Sequence, residues 1–148
     1  MIDIIQKRSQ ENPNKLFIQQ KNMSITYSQF NSMVLNAMKY INHINSHYIG
    51  IQIQDKMKLL VAINSLNRLG KIPVIYPYIP NVGDYIKAIN IPISIVDSDI
   101  KLTDKKNKLK QNFQYNNNTT QIVMFTSGTT GLPKACELTY NNIYESSI

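Results

Sequence analysis

Residues 125–134 read F-T-S-G-T-T-G-L-P-K and begin at the end of the apolar run 122–125, which is typical of a buried β-strand. Phosphate oxygens are held by inward-turned backbone N–H groups, short hydroxyl donors and a cation. Glycine lets the backbone approach such a ligand closely. The stretch therefore predicts a phosphate-binding loop after a strand, with the candidate contacts Thr126, Ser127, Gly128, Thr129, Thr130, Gly131 and Lys134.

Two other interpretations of this stretch are a Walker loop and an ordinary surface turn. In a Walker loop the lysine directly follows the second glycine, and a helix begins there. Here Leu132 and Pro133 separate Gly131 from Lys134, and residues 135–139 lack a helical pattern, so the spacing excludes a Walker loop. Ser, Thr, Gly and Pro also mark surface turns, but this order directly after an apolar run favours phosphate binding.

The same residues resemble the phosphate-binding signature of the adenylate-forming enzymes, the family of acyl-CoA ligases, amino-acid-adenylating domains and luciferases. That signature reads roughly [YF]TSGTTGxPKG and is followed by an LTHxN-like segment. Residues 125–134 match it without a break, and residues 138–142, L-T-Y-N-N, resemble the second part. Ala135 replaces the usual glycine and Tyr140 the usual histidine. Both departures lie outside the predicted phosphate-binding core.

Two earlier segments resemble further motifs of the family, in the correct order. Residues 25–30, I-T-Y-S-Q-F, are similar to the pattern L-[TS]-Y-x-E-L. Residues 66–77 are similar to the pattern L-K-A-G-x-A-Y-V-P-L, with Pro77 on its proline and Pro73 in place of a small residue. The resemblance therefore extends over most of the chain.

The resemblance implies the N-terminal part of an ATP-dependent, AMP-forming carboxylic acid:CoA ligase, with fatty or aromatic acids as expected substrates. In this family a carboxylate attacks the α-phosphorus of ATP, giving an acyl-adenylate and pyrophosphate, and a thiol such as coenzyme A then takes the acyl group. By the same resemblance the seven candidate residues contact the ATP triphosphate, which carries Mg²⁺. An amino-acid-adenylating domain and a truncated, non-catalytic nucleotide-binding module remain as alternatives.

Other functional segments of the family are absent from residues 1–148, which we expect to be an N-terminal fragment of an AMP-binding domain. The absent segments are the adenine-contacting aromatic motif, the acid that binds the ribose hydroxyls, the domain hinge and the C-terminal lysine that contacts the reacting carboxylate. The chain alone is therefore expected to be inactive in adenylation, and no catalytic residue is assigned within it.

Hydrophobic periodicity predicts an α/β fold with a mostly parallel sheet and crossover helices, as in the N-terminal part of the family's large domain. A strand over residues 48–54, a helix capped by Asp55 and ended by Gly70, and a strand over residues 74–76 form a parallel βαβ unit. The other predicted elements are a helix over residues 2–10, a hairpin of residues 16–18 and 23–26, a helix capped by Ser28, a short helix capped by Asn81 and a strand over residues 91–96. Residues 103–120 are expected to be the least ordered part of the chain.

The apolar spacing also predicts which helix faces are buried. The helix after Ser28 is expected to bury Phe30, Val34, Ala37, Met38, Ile41 and Ile44. The helix after Asp55 is expected to bury Leu59, Leu60, Ala62, Ile63, Leu66 and Leu69.

Three further residue types have more than one interpretation. Cys136 is the only cysteine, so no intrachain disulfide can form, and we expect a small buried residue. His43 and His47 are spaced as metal ligands on one helix face would be, but no acidic residue lies near them in sequence, which favours surface positions. Tyr140 suits either a substrate pocket or simple packing.

The formal net charge is +7 and the pI is about 9.5. Much of the excess positive charge lies in residues 101–110, where five lysines are balanced by one acidic residue, Asp104. Because aromatic residues do not interleave with these lysines, a solvated surface is favoured over nucleic-acid binding. The N-terminus has no signal or transit features, and no apolar run approaches the roughly 20 residues of a membrane span. The expected location is the cytoplasm, and the oligomeric state stays open.

Overall fold

This computed structural model describes residues 2–20, 22–107, 111–126 and 131–147, along which helices and strands alternate. In chain order the elements are α1 (Ile4–Glu11), β1 (Leu16–Gln20), β2 (Met23–Thr26), α2 (Tyr27–Ile41), β3 (Tyr48–Gln52), α3 (Lys56–Arg68), β4 (Ile72–Ile75), α4 (Gly83–Ile89), β5 (Ile93–Val96), β6 (Thr120–Thr126), β7 (Lys134–Thr139) and α5 (Tyr140–Glu145). The predicted alternation is confirmed.

Within the described residues, five strands form the main sheet in the order β5-β3-β4-β6-β7. β3 is parallel to both β4 and β5, and β4 is parallel to β6. β7 is antiparallel to β6, so these two strands form a hairpin at one side of the sheet. β1 and β2 form the separate antiparallel hairpin that the sequence predicts. The prediction of a mostly parallel sheet with crossover helices is confirmed.

Helices cover the two faces of the sheet unequally. The face that carries Ile49, Ile51 and Ile95 packs against α2 and α3 in one apolar cluster. The opposite face carries Val74 and Tyr76, and α4 packs over it. Met124 of β6 and its cross-strand partner Cys136 are both exposed, so the described helices do not cover this part of the sheet.

The cap of α2 differs from the prediction. Thr26 caps the helix instead of Ser28: the Gln29 N–H donates to Thr26 Oγ1 at 3.2 Å, and the Thr26 N–H donates to Gln29 Oε1 at 2.9 Å. Glu or Gln three residues after the cap is the usual partner in such a capping box, and Gln29 stands at that distance from Thr26. Ser28 does not cap the helix, because the helix already begins at Tyr27.

The predicted buried face of α2 is confirmed except for Ile44. That of α3 is confirmed in part, because Ala62 and Leu66 are fully buried whereas Leu59, Ile63 and Leu69 are half-buried. α2 buries Phe30, Val34, Ala37, Met38 and Ile41 as predicted, whereas Ile44 lies beyond the helix and is half-buried. On α3, Leu60 is 40% exposed and Val61 is fully buried. Successive helical side chains point about 100° apart, so the apolar residues at 59–63 do not all reach the core.

Asp55 caps α3 as predicted, because its Oδ1 accepts hydrogen bonds from the Met57 and Lys58 N–H groups at 2.8 and 3.0 Å. Gly70 ends this helix with a φ of +69°, which glycine adopts more readily than other residues. Both end signals of the helix are therefore confirmed.

The histidines do not share a helix face. α2 ends at Ile41, so His43 and His47 lie in the connection to β3, where both are exposed. Cys136 was predicted to be buried, but it is exposed, because no described helix covers the face of the hairpin from which it and its partner Met124 project. Within the described residues, no group of three or more His, Cys, Asp or Glu side chains could hold a metal ion.

Residues 103–107 and 111–119 contain no helix or extended strand but pack against the rest of the molecule. Phe113 is only 4% exposed, and the Asn36 Nδ2 group donates to the carbonyl oxygens of Thr103 and Lys105 at 3.0 and 2.9 Å. The expectation of low order was therefore incomplete, because long-range contacts that the composition does not reveal hold this segment. In the described part of the chain, no helix is both long and apolar enough to cross a membrane.

Candidate functional site

The predicted phosphate-binding stretch connects β6 to β7. Among its candidate contacts the structure describes Thr126, Gly131 and Lys134; Ser127, Gly128, Thr129 and Thr130 lie outside the described residues. Thr126 is the last residue of β6, and Lys134 is the first of β7. The two residues are direct partners across the hairpin.

The pairing places a hydroxyl-bearing side chain and a lysine side chain on the same face of the hairpin. Residues that are directly opposite in antiparallel strands project their side chains from the same face, and both Thr126 and Lys134 are exposed. The Thr126 hydroxyl also donates a long hydrogen bond, 3.4 Å, to the Lys134 carbonyl oxygen. A hydroxyl donor and a cation side by side at a strand end are the groups that a phosphate oxygen requires.

Gly131 lies on the return side of the connection and has a φ of +105°. Side chains disfavour this backbone region, whereas glycine adopts it at little cost. Among the described residues, no heavy atom lies within 4 Å of a Cβ built at Gly131, so the backbone angle is the reason that they give for glycine here. The backbone conformation therefore explains why position 131 of the predicted loop is glycine.

The position in the sheet is one at which α/β folds bind ligands. The parallel strands β3, β4, β5 and β6 end at the same edge, and Thr126 and Lys134 lie at this edge. Ligands of open α/β sheets bind outside the carboxyl ends of the strands. The hairpin therefore presents its hydroxyl and lysine at the expected edge.

An aromatic cluster packs against the hairpin on the side of α4. The Phe125 ring lies 5.3 Å from the Tyr76 ring and 5.1 Å from the Tyr85 ring, measured between ring centroids. Tyr76 follows β4 and Tyr85 belongs to α4, so the contact joins three separate elements. No pattern in the sequence pairs these residues; the register of β4 beside β6 and the packing of α4 on that face bring them together.

Tyr140 lies at the opposite end of the sheet. Thr139, which precedes it, pairs with Thr120 at the start of β6, and the Tyr140 N–H donates to the Thr119 carbonyl oxygen at 3.2 Å. Six residues of β7 separate the two ends, a distance of about 17 Å. The Tyr140 ring is 7% exposed and stacks on the Tyr115 ring at 4.3 Å. The packing interpretation of Tyr140 therefore fits the structure, and its ring also lines two cavities at this end of the sheet.

A buried ion pair near Tyr140 joins three distant segments. Arg68 Nε donates to Asp3 Oδ2 at 2.8 Å, and Arg68 Nη2 to Asp3 Oδ1 at 3.1 Å. The Tyr115 hydroxyl also donates to Asp3 Oδ2, at 2.6 Å. Burial raises the pKa of Asp3, but the hydrogen bonds and charge of Arg68, with those of Tyr115 and Gln6, hold the pKa below its usual value. The sequence offered no signal for this pairing, because 65 residues separate its partners.

We expect the charge of Asp3 to make stability depend on acidic pH. Because folding lowers the pKa of Asp3, its stabilisation is present above the unfolded-state pKa of about 3.9 and is lost as the pH falls through the folded-state pKa. Thermal unfolding followed by circular dichroism from about pH 6 to about pH 2 should show a steeper fall in Tm for the wild type than for Asp3→Asn. Asparagine retains helix-capping ability, so parallel curves would contradict this assignment.

Comparison with known proteins tests the family resemblance. No protein-family model matches the sequence. The chain is 25% identical, over 93% of its length, to the 2-succinylbenzoate–CoA ligases of two Staphylococcus epidermidis strains. Its fold matches O-succinylbenzoate coenzyme A synthetase (MenE) from Bacillus subtilis with a TM-score of 0.80 over 99% of the chain, at 16% identity. The chain matches the N-terminal portion of an adenylate-forming enzyme. The resemblance stated from its motifs is confirmed.

The relatives are much longer than the matched region. The chain spans 32% of the Staphylococcus ligase and 44% of the Bacillus synthetase, which has been solved in complex with AMP and with the acyl-adenylate intermediate OSB-AMP. The same synthetase has been solved with ATP and a magnesium ion. The Klebsiella oxytoca NpsA N-terminal subdomain also shares the fold, with a TM-score of 0.77, 17% identity and coverage of 99% of this chain and 43% of its own. The shared region is thus one part of a larger adenylate-forming fold.

Proposed function

We propose that this chain is the N-terminal, phosphate-binding part of an AMP-forming acid:CoA ligase. The observation that carries the proposal is the 25% identity to a 2-succinylbenzoate–CoA ligase over 93% of the chain. The hairpin supports it independently, because Thr126 and Lys134 meet at the carboxyl edge of a parallel sheet. Neither observation depends on the other.

The described donor set fits a triphosphate. In the proposed complex the Thr126 hydroxyl exchanges its long hydrogen bond to the Lys134 carbonyl oxygen for one to a phosphate oxygen. The Lys134 ammonium neutralises charge, and Gly131 permits a tight return to β7. In the proposed reaction ATP supplies the adenylyl group, and pyrophosphate is the leaving group. The hairpin holds the β- and γ-phosphates and stabilises the charge that develops on them. By the motif resemblance Ser127, Gly128, Thr129 and Thr130 add further contacts, and Mg²⁺ is carried by the phosphates.

We infer that the activated acid is aromatic and that coenzyme A is the acceptor of the complete enzyme. The support is the 2-succinylbenzoate–CoA ligase match, because the substrate of that relative contains a benzoate ring. Residues 1–148 contain no assigned catalytic group, and we propose that they do not complete adenylation alone. Robust ATP–pyrophosphate exchange by this chain would contradict that proposal. In the complete enzyme, exchange driven by amino acids and not by aromatic acids would favour an amino-acid-adenylating domain instead.

Lys134→Ala tests the phosphate assignment directly. A charge-assisted hydrogen bond contributes about 1.5–3 kcal/mol, so we expect magnesium tripolyphosphate to bind the variant at least about tenfold more weakly than the wild type. Isothermal titration calorimetry on the 148-residue chain measures this ratio. Tripolyphosphate is the suitable probe because it requires the phosphate contacts and no adenine site.

The matched control is Lys101→Ala, which removes an equal charge from an exposed residue outside the hairpin. We expect its affinity to stay within about twofold of the wild type. Equal weakening by both variants would indicate general attraction to a basic surface and would reject the hairpin as the site. Polyphosphate binding that Lys134→Ala leaves unchanged would reject it as well.

A further inference from the structure

We propose that Tyr85 is a positioning residue for phosphate binding: its ring holds Phe125 and so sets the direction in which Thr126 and Lys134 leave the sheet. This inference rests on the proposed function, since it concerns the same hairpin. It adds a residue from α4, a helix that carries none of the phosphate contacts assigned from the motif.

Phe125 connects the aromatic cluster to the Thr126–Lys134 pair. It directly precedes Thr126, and it pairs with Ala135, which directly follows Lys134. Side chains alternate between the two faces of a strand, so the Phe125 ring points away from the Thr126 and Lys134 side chains. The ring therefore packs beneath the phosphate-binding pair without occupying the space of a ligand.

Tyr76 forms the fixed side of the aromatic cluster. It is 2% exposed, and its hydroxyl donates to the Ile91 carbonyl oxygen at 2.5 Å. Its ring also lies against Gly50, where a Cβ would come within 2.9 Å of Cε2. Because its hydroxyl is hydrogen-bonded and its ring is confined, Tyr76 is held in place and limits the movement of the Phe125 ring on one side.

Tyr85 contacts the Phe125 ring on the side of α4. Its ring meets the Phe125 ring edge-on, at an interplanar angle of 88°, which is a favourable aromatic geometry. Unlike Tyr76, it is only partly buried and lies on a seven-residue helix without a fully buried residue. Ala135, opposite Phe125, has only a methyl group with which to support the ring. Removal of the Tyr85 ring would therefore free Phe125 to tilt toward α4 and would displace the Thr126–Lys134 pair.

The test compares Tyr85→Ala with Tyr85→Phe, which keeps the ring and removes only the hydroxyl. A small misplacement of ligand-binding groups has large effects, and we expect Tyr85→Ala to weaken magnesium tripolyphosphate binding by about tenfold. Tyr85→Phe should bind within about twofold of the wild type. Isothermal titration calorimetry of the 148-residue chain gives the affinities, and thermal unfolding of each variant gives its Tm.

Two further variants separate positioning from general stability. Ile86→Ala removes apolar contacts of the same helix in the same cluster, but it leaves the Phe125 and Tyr85 rings in place. We expect it to lower Tm as Tyr85→Ala does while keeping the affinity within about twofold of the wild type. Tyr85→Leu retains apolar volume without a ring, and it replaces Tyr85→Ala in the comparison if the alanine variant does not fold.

Different experimental outcomes reject the positioning role of Tyr85 and the proposed phosphate site. If the wild type binds tripolyphosphate, Lys134→Ala does not, and the Tyr85 variants without a ring bind normally, the positioning role is wrong and the phosphate site stands. If Ile86→Ala weakens binding as much as Tyr85→Ala, the effect comes from stability and the positioning role is also wrong. If the wild type does not bind tripolyphosphate, or if Lys134→Ala binds it as tightly as the wild type, the phosphate site is rejected. The positioning role of Tyr85 is then rejected as well.

Discussion

Replacement of Arg68 by methionine is expected to lower the free energy of unfolding by about 3–5 kcal/mol. The Arg68 side chain is fully buried and Asp3 is 3% exposed, so the substitution leaves a carboxylate in the interior without its cation. The arginine also packs over the Phe113 ring, with 4.7 Å between its Cζ atom and the ring centroid. Urea denaturation followed by circular dichroism measures the loss.

Arg8→Met is the matched control, because Arg8 is the other arginine of the chain. Its ion pair with Glu11 is 3.7 Å long, and both side chains are more than 40% exposed. Exposed pairs contribute little, so we expect a change within about 0.5 kcal/mol. In the double variant Asp3→Asn/Arg68→Met, the loss should be smaller than the sum of the single losses, since neither partner is then left charged and alone. Additive losses would contradict direct coupling of the pair.

Gly50→Ala is expected to destabilise the protein by about 3 kcal/mol or more, although it adds only one methyl group. Gly50 lies in the central strand β3, next to β5. A Cβ at this position would overlap the Pro92 carbonyl oxygen and lie 2.9 Å from the Pro92 carbonyl carbon. These are backbone atoms, so a rotamer change cannot relieve the overlap and the two strands must separate.

Gly83→Ala is the comparison for Gly50→Ala. Gly83 begins α4, and a Cβ there would meet only Asn81 Oδ1, at 3.1 Å, which belongs to a side chain. Alanine also favours helix formation over glycine, so this variant should retain the wild-type Tm to within a few degrees. Equal Tm values for Gly50→Ala and Gly83→Ala would show that the β3–β5 contact is looser than the structure indicates.

Local sequence was sufficient for most secondary structure and for the position of the candidate site. The cap at Asp55, the stop at Gly70 and the alternating apolar pattern of β3 act over a few residues, and each was predicted correctly. Residues 125–134 also placed a phosphate-binding motif directly after a strand. These signals need no partner from a distant part of the chain, because turn angles, caps and apolar periodicity are properties of neighbouring residues.

Tertiary structure decided which residues meet. The burial of Arg68 against Asp3, the exposure of Cys136 and the separation of Tyr140 from the phosphate hairpin all depend on strand order and register. The Tyr76–Phe125–Tyr85 cluster arises because β4 pairs with β6 and α4 crosses the same face. A linear pattern shows that a residue is apolar or charged, but its partner depends on the packing of elements far apart in sequence. The amino-acid sequence alone therefore predicted the candidate phosphate contacts, whereas only the fold showed that the rings of Tyr76 and Tyr85 pack against Phe125, next to Thr126.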